Sequence, residues 1–290
     1  MPSDDSATRT APAAPAQPAR VLVFLATRNE SGNIAPLLAA IAGSAAAADV
    51  LVVDDGSDDG TVEAIRALAA PRLGLLERRQ VRGLGSAHLL AMLHALHHRY
   101  EVLVTMDADQ SHDPAAIPAL LAELDRGADV VVGSRYMRGG SRERDGWRGT
   151  LSRVGNRCAR TLFGLPLHEY TTSLRAFRVA ALRTLDPGRL CVGGHAFFLA
   201  TIAEAARHRL RLAEVPIHFR ARVHGESKMP ATEIVRAIVH LVRLAWHVRL
   251  ARPRAAAHAS VPCRACGTAY SVVTARRGGA ACLCCGNRER

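Results

Sequence analysis

Asp107 and Asp109 lie one residue apart at the end of an apolar run, Val102-Leu103-Val104-Thr105-Met106. A short run of this kind predicts a buried strand of a parallel sheet, and open α/β folds take ligands at the carboxyl edge of such a sheet. Two acids so close together at a strand end can place hard oxygens on a divalent cation and leave coordination positions for a diphosphate. The competing reading is a helix start, because Asp113-Pro114 follows and suits an N-cap with proline at the first helical position.

The neighbouring segments must bring these acids to a common edge. Residues 21–25 and 50–53 read as two further strands. The first runs into a loop in which Ser31 or Asn33 can cap a helix carrying Ile34, Leu37, Leu38 and Ile41 on one face. The second runs into Asp54-Asp55-Gly56-Ser57-Asp58-Asp59-Gly60-Thr61, followed by a helix over residues 62–69. Asp55 can accept hydrogen bonds from a base or ribose, and Gly56 and Gly60 permit tight backbone geometry, although a plain turn uses the same residues. Gly83-Leu84-Gly85 opens a helix through Leu96, as a turn or as a ligand loop. A strand over residues 129–132 delivers Arg135 to the same edge, where its planar fork suits a phosphate or, equally, a carboxylate of the site. Strand, polar loop and helix alternate, which predicts a parallel sheet with helices on both faces.

The chain has 290 residues, 49% of them hydrophobic, enough for one large α/β domain plus a small module. Its net charge of +12 is spread over scattered arginines, which favours an anionic membrane surface or a phosphorylated ligand over nucleic acid. Residues 1–20, rich in Ala and Pro, read as a disordered tail. No apolar run reaches the length of about 18 residues that a spanning helix needs. The expected location is the cytoplasm or, peripherally, the inner face of the membrane.

Residues 231–251 read as a basic amphipathic helix, with Arg236, His240, Arg243 and His247 along one stripe, at a membrane interface or packed on the domain. Residues 252–262 read as a linker. Beyond it, Cys263 and Cys266, then Cys282 and Cys285, form two C-x₂-C knuckles with fifteen residues between them. This is the spacing of a four-cysteine zinc ribbon, which assigns residues 263–290 to a module held by structural Zn²⁺ and suited to an unidentified protein partner. Cys284 is spare, and Cys158 and Cys191 read as packing residues. His94, His97 and His98 read as solvated or capping.

Taken in order, Thr27-x-Asn29-Glu30, the Val52 to Ser57 run with Asp59-Gly60-Thr61, Gly83-Leu84-Gly85, Asp107-Ala108-Asp109 with Ser111-His112-Asp113-Pro114, and Gly133-Ser134-Arg135-Tyr136 resemble the inverting family 2 glycosyltransferases. Among these the chain is most similar to the dolichyl- and polyprenyl-phosphate mannosyltransferases. The resemblance implies a GT-A fold, here over residues 21–230, that binds a nucleotide sugar and Mg²⁺ or Mn²⁺. By carry-over, Glu30, Val53 and Asp55 line the nucleoside pocket, Asp107 and Ala108 touch ribose or diphosphate, and Asp109 holds the metal. Arg135, Arg222 and Lys228 face phosphates of donor and acceptor.

The implied reaction moves a hexose from a GDP-mannose or UDP-glucose type donor to polyprenyl phosphate. One alternative is the same chemistry on a soluble or carrier-bound acceptor, with Glu169 as base and His168 and His195 nearby. The other is a non-catalytic protein that binds through its ribbon. The chain departs from the family where Ala26 and Arg28 replace a proline and a tyrosine, and where Glu169 replaces an aspartate. It departs again where Phe198 and Ala200 replace a glutamine and a glutamate expected to reach the sugar or acceptor.

Overall fold

The computed structural model describes residues 20–78, 82–143, 147–190, 194 and 196–221, together with four two-residue strands between residues 260 and 289. A seven-stranded sheet forms the centre, built from β1 (Val21–Thr27), β2 (Asp49–Asp54), β3 (Leu73–Glu77), β4 (Val102–Asp107), β5 (Val130–Ser134), β7 (Arg175–Arg178) and β8 (Leu212–Pro216). Its order is β3-β2-β1-β4-β7-β5-β8. A short parallel ribbon pairs β6 (Ser141–Arg142) with β9 (His218–Phe219).

Side chains alternate along each strand, so the buried strands feed two apolar layers. Leu22 and Phe24 face one layer with Leu51, Leu103 and Phe177, covered by α3 (Leu84–His97) and α8 (Ala196–Arg207). Val23 and Leu25 face the other with Val52, Val104 and Met106, covered by α1 (Ser31–Ser44), α2 (Thr61–Ala67) and α4 (Ile117–Asp125). A third cluster joins Val132 to Ala159 and Phe163 of α5 (Trp147–Phe163) and to Leu199 and Ile202 of α8. Two short helices, α6 (Val179–Leu182) and α7 (Pro187–Leu190), lie between β7 and α8 in the chain.

The expected parallel sheet is found with one exception. β7 runs antiparallel to both β4 and β5. It therefore begins at the edge where its neighbours end, and the loop preceding it joins the loops that follow them. The chain also reverses direction across the sheet between β1 and β4, the kind of switch point at which α/β sheets open a crevice. There Ala26 is in register with Asp107 on one side and with Val53 on the other.

Neither Ser31 nor Asn33 caps α1, whose N-cap residue is Glu30. The first amides are satisfied from the neighbouring loop instead. Glu30 N–H donates to Thr61 Oγ1 at 2.9 Å, and Ser31 N–H to Asp59 Oδ2 at 3.0 Å. Burial acts to raise the pKa of Asp59, but hydrogen bonds from Thr61 and Ser31 outweigh it and hold the group at about 2. Asp113 does cap, accepting from Ala115 N–H at 3.0 Å at the start of a 3₁₀ turn, Pro114–Ala116.

Three other expectations are corrected. Cys158 is exposed on α5 rather than packed. His94 is partly buried beside His98 and Tyr100, and burial, assisted by repulsion from His98 and His97, brings its pKa down to about 4. The end of the proposed linker is already strand. β10 (Ser260–Val261) starts a four-stranded antiparallel sheet completed by β11 (Ser271–Val272), β12 (Ala280–Ala281) and β13 (Arg288–Glu289). The disordered-tail reading of residues 1–19, the amphipathic helix over 231–251, and Arg222, Lys228, Cys191, His195, Cys263, Cys266, Cys282 and Cys285 lie outside the described residues.

Candidate active site

The carboxyl ends of β1, β2, β4 and β5 and the loop entering β7 converge on one edge. At the β2 end, Asp54 is buried and organises its own loop. Its Oδ1 accepts from Gly56 N–H at 3.0 Å and Ser57 N–H at 2.9 Å, and its Oδ2 accepts from Thr27 Oγ1 at 3.1 Å. Asn29, in the left-handed region at φ 58°, donates its amide to Ser57 Oγ and exchanges hydrogen bonds with Asp58, which fastens the β1 loop to the β2 loop. Glu30 is partly buried at this junction and accepts from Asn33 Nδ2 at 2.7 Å.

Asp55 is engaged by the protein itself. Its Oδ1 receives Arg78 Nε at 2.7 Å, and its Oδ2 receives Gly83 N–H at 2.7 Å. Arg78 is fully buried and also reaches Ser86 Oγ and the Gly83 carbonyl. Asp55 thus ties β2 to the glycine loop that opens α3. The Arg82 guanidinium lies over Gly56, so a side chain there would displace it besides straining a φ of +76°. Val53 points into the core, which leaves its backbone as the part within reach of the edge.

At the β4 end, Asp107 keeps its side chain 35% exposed, whereas Asp109 is buried. Asp109 Oδ1 accepts from Ser111 N–H at 3.0 Å and Ser111 Oγ at 2.5 Å, across a turn whose Gln110 has φ 63°. Ala108 is buried between the two acids. Their hard oxygen donors fit Mg²⁺ or Mn²⁺, cations that use one or two carboxylates and complete their shell with phosphate oxygens. Asp107 and Asp109 could offer such oxygens at this edge.

His112 belongs to the same motif and is buried behind this turn, and the sequence alone assigns it no role. Asp107 N–H donates to its Nδ1 at 3.3 Å, and its Nε2 meets Thr172 Oγ1 at 3.0 Å. Burial lowers its pKa, offset in part by Asp107 and Asp109.

Across the edge, Arg135 binds a carboxylate with both arms. Its Nε donates to Glu169 Oε2 at 2.8 Å and its Nη2 to Glu169 Oε1 at 3.0 Å, with Thr171 Oγ1 at 3.2 Å. The guanidinium stands 4.7 Å from the Phe219 ring centroid and 5.2 Å from that of Tyr136. Burial would lower the pKa of Arg135, but Glu169 raises it; burial would raise that of Glu169, but Arg135 lowers it. Glu169 is thereby a poor general base. Its position is further fixed by Glu214, whose Oε1 accepts the amides of His168 and Glu169 at 2.8 Å each while its Oε2 meets His168 Nδ1 at 2.8 Å.

The remaining departures fall in the core. Phe198 and Ala200 are buried in α8, and Phe198 stands 5.1 Å from the Arg175 guanidinium and 5.0 Å from the His88 ring. Arg175 is buried and donates to the carbonyls of Tyr170, Thr172 and Phe198 at 2.8, 3.0 and 2.9 Å. Burial brings its pKa down to about 9, which leaves it charged at neutral pH. It braces the loop that presents Thr171 and Thr172. Beyond Phe219 the chain stays at the edge, where Arg220 N–H donates to the Ser111 carbonyl at 2.9 Å and its guanidinium pairs with Asp113.

A family model described as glycosyl transferase family 2 matches residues 22–186, more than half of the chain. The chain is 36% identical over 239 residues to the polyprenol monophosphomannose synthase of Mycolicibacterium smegmatis, covering 81% of this chain and 90% of that protein. It is 37% identical over 233 residues to the undecaprenyl-phosphate mannosyltransferase of Micrococcus luteus, covering 77% and 93%. Among solved structures, glucosyl-3-phosphoglycerate synthase from Mycobacterium tuberculosis in complex with Mn²⁺, uridine diphosphate and phosphoglyceric acid matches 79% of each chain, with a TM-score of 0.60 at 18% identity. That is a likeness of fold. An edge that gathers paired acids from one strand end and a guanidinium from another, in a chain related at this level to named transferases, leads to one assignment: the protein belongs to glycosyl transferase family 2 and is a glycosyltransferase.

Proposed function

We propose that the protein transfers mannose from a nucleoside-diphosphate donor to polyprenyl phosphate, with inversion at the anomeric carbon. The observation that carries this reading is the placement of Asp107 and Asp109 at the end of β4 opposite Arg135 at the end of β5, with Phe219 packed against both Arg135 and His112. Two relatives named for mannosyl transfer to polyprenyl or undecaprenyl phosphate, each at least 90% covered, support it. The donor lies along the β1, β2 and β4 ends, with Glu30, Asp55, Ala108 and the backbone of Val53 forming the nucleoside side. A bound Mg²⁺ or Mn²⁺, held by Asp109 with Asp107, supplies charge neutralisation and Lewis acidity at the departing diphosphate. Arg135, with Arg222 and Lys228 from the following segment, orients phosphate oxygens.

A phosphate monoester reaches the site already ionised, its second pKa being about 6. The attacking oxygen therefore needs no strong base, which accords with a Glu169 committed to Arg135. The soluble-acceptor alternative does need one, and its candidate is this same Glu169. No helix among the described residues is long and apolar enough to cross a membrane. We place the enzyme peripherally at an anionic membrane surface, where its acceptor resides.

We assign residues 263–290 to a zinc ribbon. The described strands pair antiparallel in the order β10-β11-β12-β13. In the sequence, Cys263 and Cys266 fall between β10 and β11 and Cys282 and Cys285 between β12 and β13, and the two C-x₂-C pairs carry the reading. One bound zinc per chain by elemental analysis, reduced in Cys282→Ser, is the expected result.

The activity test incubates the full chain and Mn²⁺ with labelled GDP-mannose or UDP-glucose, with and without polyprenyl phosphate, and follows label into organic solvent. Lipid-linked mannose is the expected product, abolished in Asp109→Ala. Donor hydrolysis without lipid product would redirect the reading to a soluble acceptor, and no turnover of any donor by folded protein would overturn it.

A further inference from the structure

We propose that His112 is a positioning residue that fixes the Asp107 strand end and the Thr172 loop from a single imidazole, holding the donor and phosphate sides of the site in one register. The inference rests on the function proposed above and assigns a task to a residue that function leaves unused.

Gln110, with φ 63°, reverses the chain just after β4, so that His112 folds back against the strand it has left. Because Asp107 N–H donates to Nδ1 at 3.3 Å, that nitrogen carries the lone pair and the proton sits on Nε2. The Nε2 proton goes to Thr172 Oγ1 at 3.0 Å, a residue sixty positions away in the chain. With the tautomer set in this way, Asp107 Oδ2, 3.6 Å from Nδ1, faces another acceptor. The carboxylate gains nothing by turning inward and is presented outward, 35% exposed, where a cation and diphosphate would lie.

The Thr172 end is equally constrained. Its carbonyl accepts from Arg175 Nε at 3.0 Å, and the adjacent Thr171 donates to Glu169 Oε1 at 2.7 Å. Phe219 covers the imidazole with ring centroids 5.2 Å apart and stands 4.7 Å from the Arg135 guanidinium. His112 is only 1% exposed, so water cannot replace either hydrogen bond if one is removed. With both nitrogens occupied by protein groups, the ring is a support for the acid and not a ligand of the metal.

The test uses the full chain and two substitutions that each keep one end. His112→Asn retains an acceptor near the Nδ1 position, and His112→Gln retains a donor near the Nε2 position. Mn²⁺ affinity in the presence of GDP or UDP, the KM for polyprenyl phosphate, and the melting temperature are measured for each. The expected result is a split. His112→Asn keeps Mn²⁺ affinity within about twofold and raises the acceptor KM about tenfold, whereas His112→Gln lowers Mn²⁺ affinity about tenfold and changes the acceptor KM less. Thr172→Val, which leaves the imidazole in place, should resemble His112→Asn.

Equal loss of both properties in both histidine variants, tracking the melting temperature, would make the role merely structural and overturn the proposal. Variants indistinguishable from wild type would also overturn it, as would nitrogen NMR of labelled wild-type protein placing the proton on Nδ1. Wild-type protein that binds no Mn²⁺ with nucleotide would bring down the proposed function and this inference together. Binding by wild type with no split in the variants would remove only the role of His112.

Discussion

Glu169 receives Arg135 through two parallel hydrogen bonds, of 2.8 and 3.0 Å, within a setting where the carboxylate has no exposed surface. Removing one partner of such a pair leaves a buried charge unmatched. Glu169→Gln is expected to cost about 3–5 kcal/mol in denaturant unfolding. The pH dependence has a definite sign. Glu169 is depressed below its ordinary value of 4.5, so its contribution is present above that value and is lost as pH falls through the lower folded pKa. The acid limb of the stability curve below about pH 4.5 should be shallower in Glu169→Gln than in wild type.

His94 gives a second, separate pH signature. Its folded pKa of about 4 lies below the ordinary 6.5, so between these values the unfolded chain binds a proton that the folded chain refuses. Stability contributed by neutral His94 is therefore present above 6.5 and falls as pH drops toward 4. His94→Phe should flatten the slope of melting temperature against pH in that window.

Gly140 packs directly against the backbone of Ser134 and Arg135. A Cβ at this position would strike the Ser134 carbonyl and crowd the Arg135 backbone, groups that cannot swing aside as a side chain can. Gly140→Ala should destabilise by about 1–3 kcal/mol and lower turnover, because relief requires moving the turn that carries the guanidinium. Gly155→Ala, with open space around it, should do neither.

Phe198→Gln restores the residue expected from family resemblance. Here position 198 is 2% exposed and packed against Arg175 and His88. Burying an amide there should cost about 1–3 kcal/mol without raising turnover. An increase in mannosyl transfer would show that position 198 reaches the substrate after all.

What the sequence made legible follows from how each feature is encoded. β1, β2, β4 and β5 are apolar runs because both faces of the sheet are covered, and the acids that end β4 are contiguous with it. β7 and β8 escape this signal. Arg175-Ala176-Phe177-Arg178 and Leu212-Ala213-Glu214-Val215-Pro216 carry charges whose partners are supplied by the fold, three carbonyls for Arg175 and two amides for Glu214. For Arg135 the sequence left phosphate and carboxylate open as partners, and Glu169, 34 residues away, takes the fork. The link between His112 and Thr172 spans 60 residues and leaves no local pattern.

The antiparallel β7 also sets the order in which the sheet can be completed. β4 and β5 are not neighbours; each pairs with β7, formed by Arg175–Arg178. On a growing chain, β1 to β4 can assemble once residue 107 has emerged, but their open flank at β4 waits about seventy residues for its cover. Until then an apolar strand edge is available to any passing chain. A fragment stopped between β5 and β7 would carry β1 to β5 and still leave the β4 edge open, whereas one extended through Arg178 would have closed that flank.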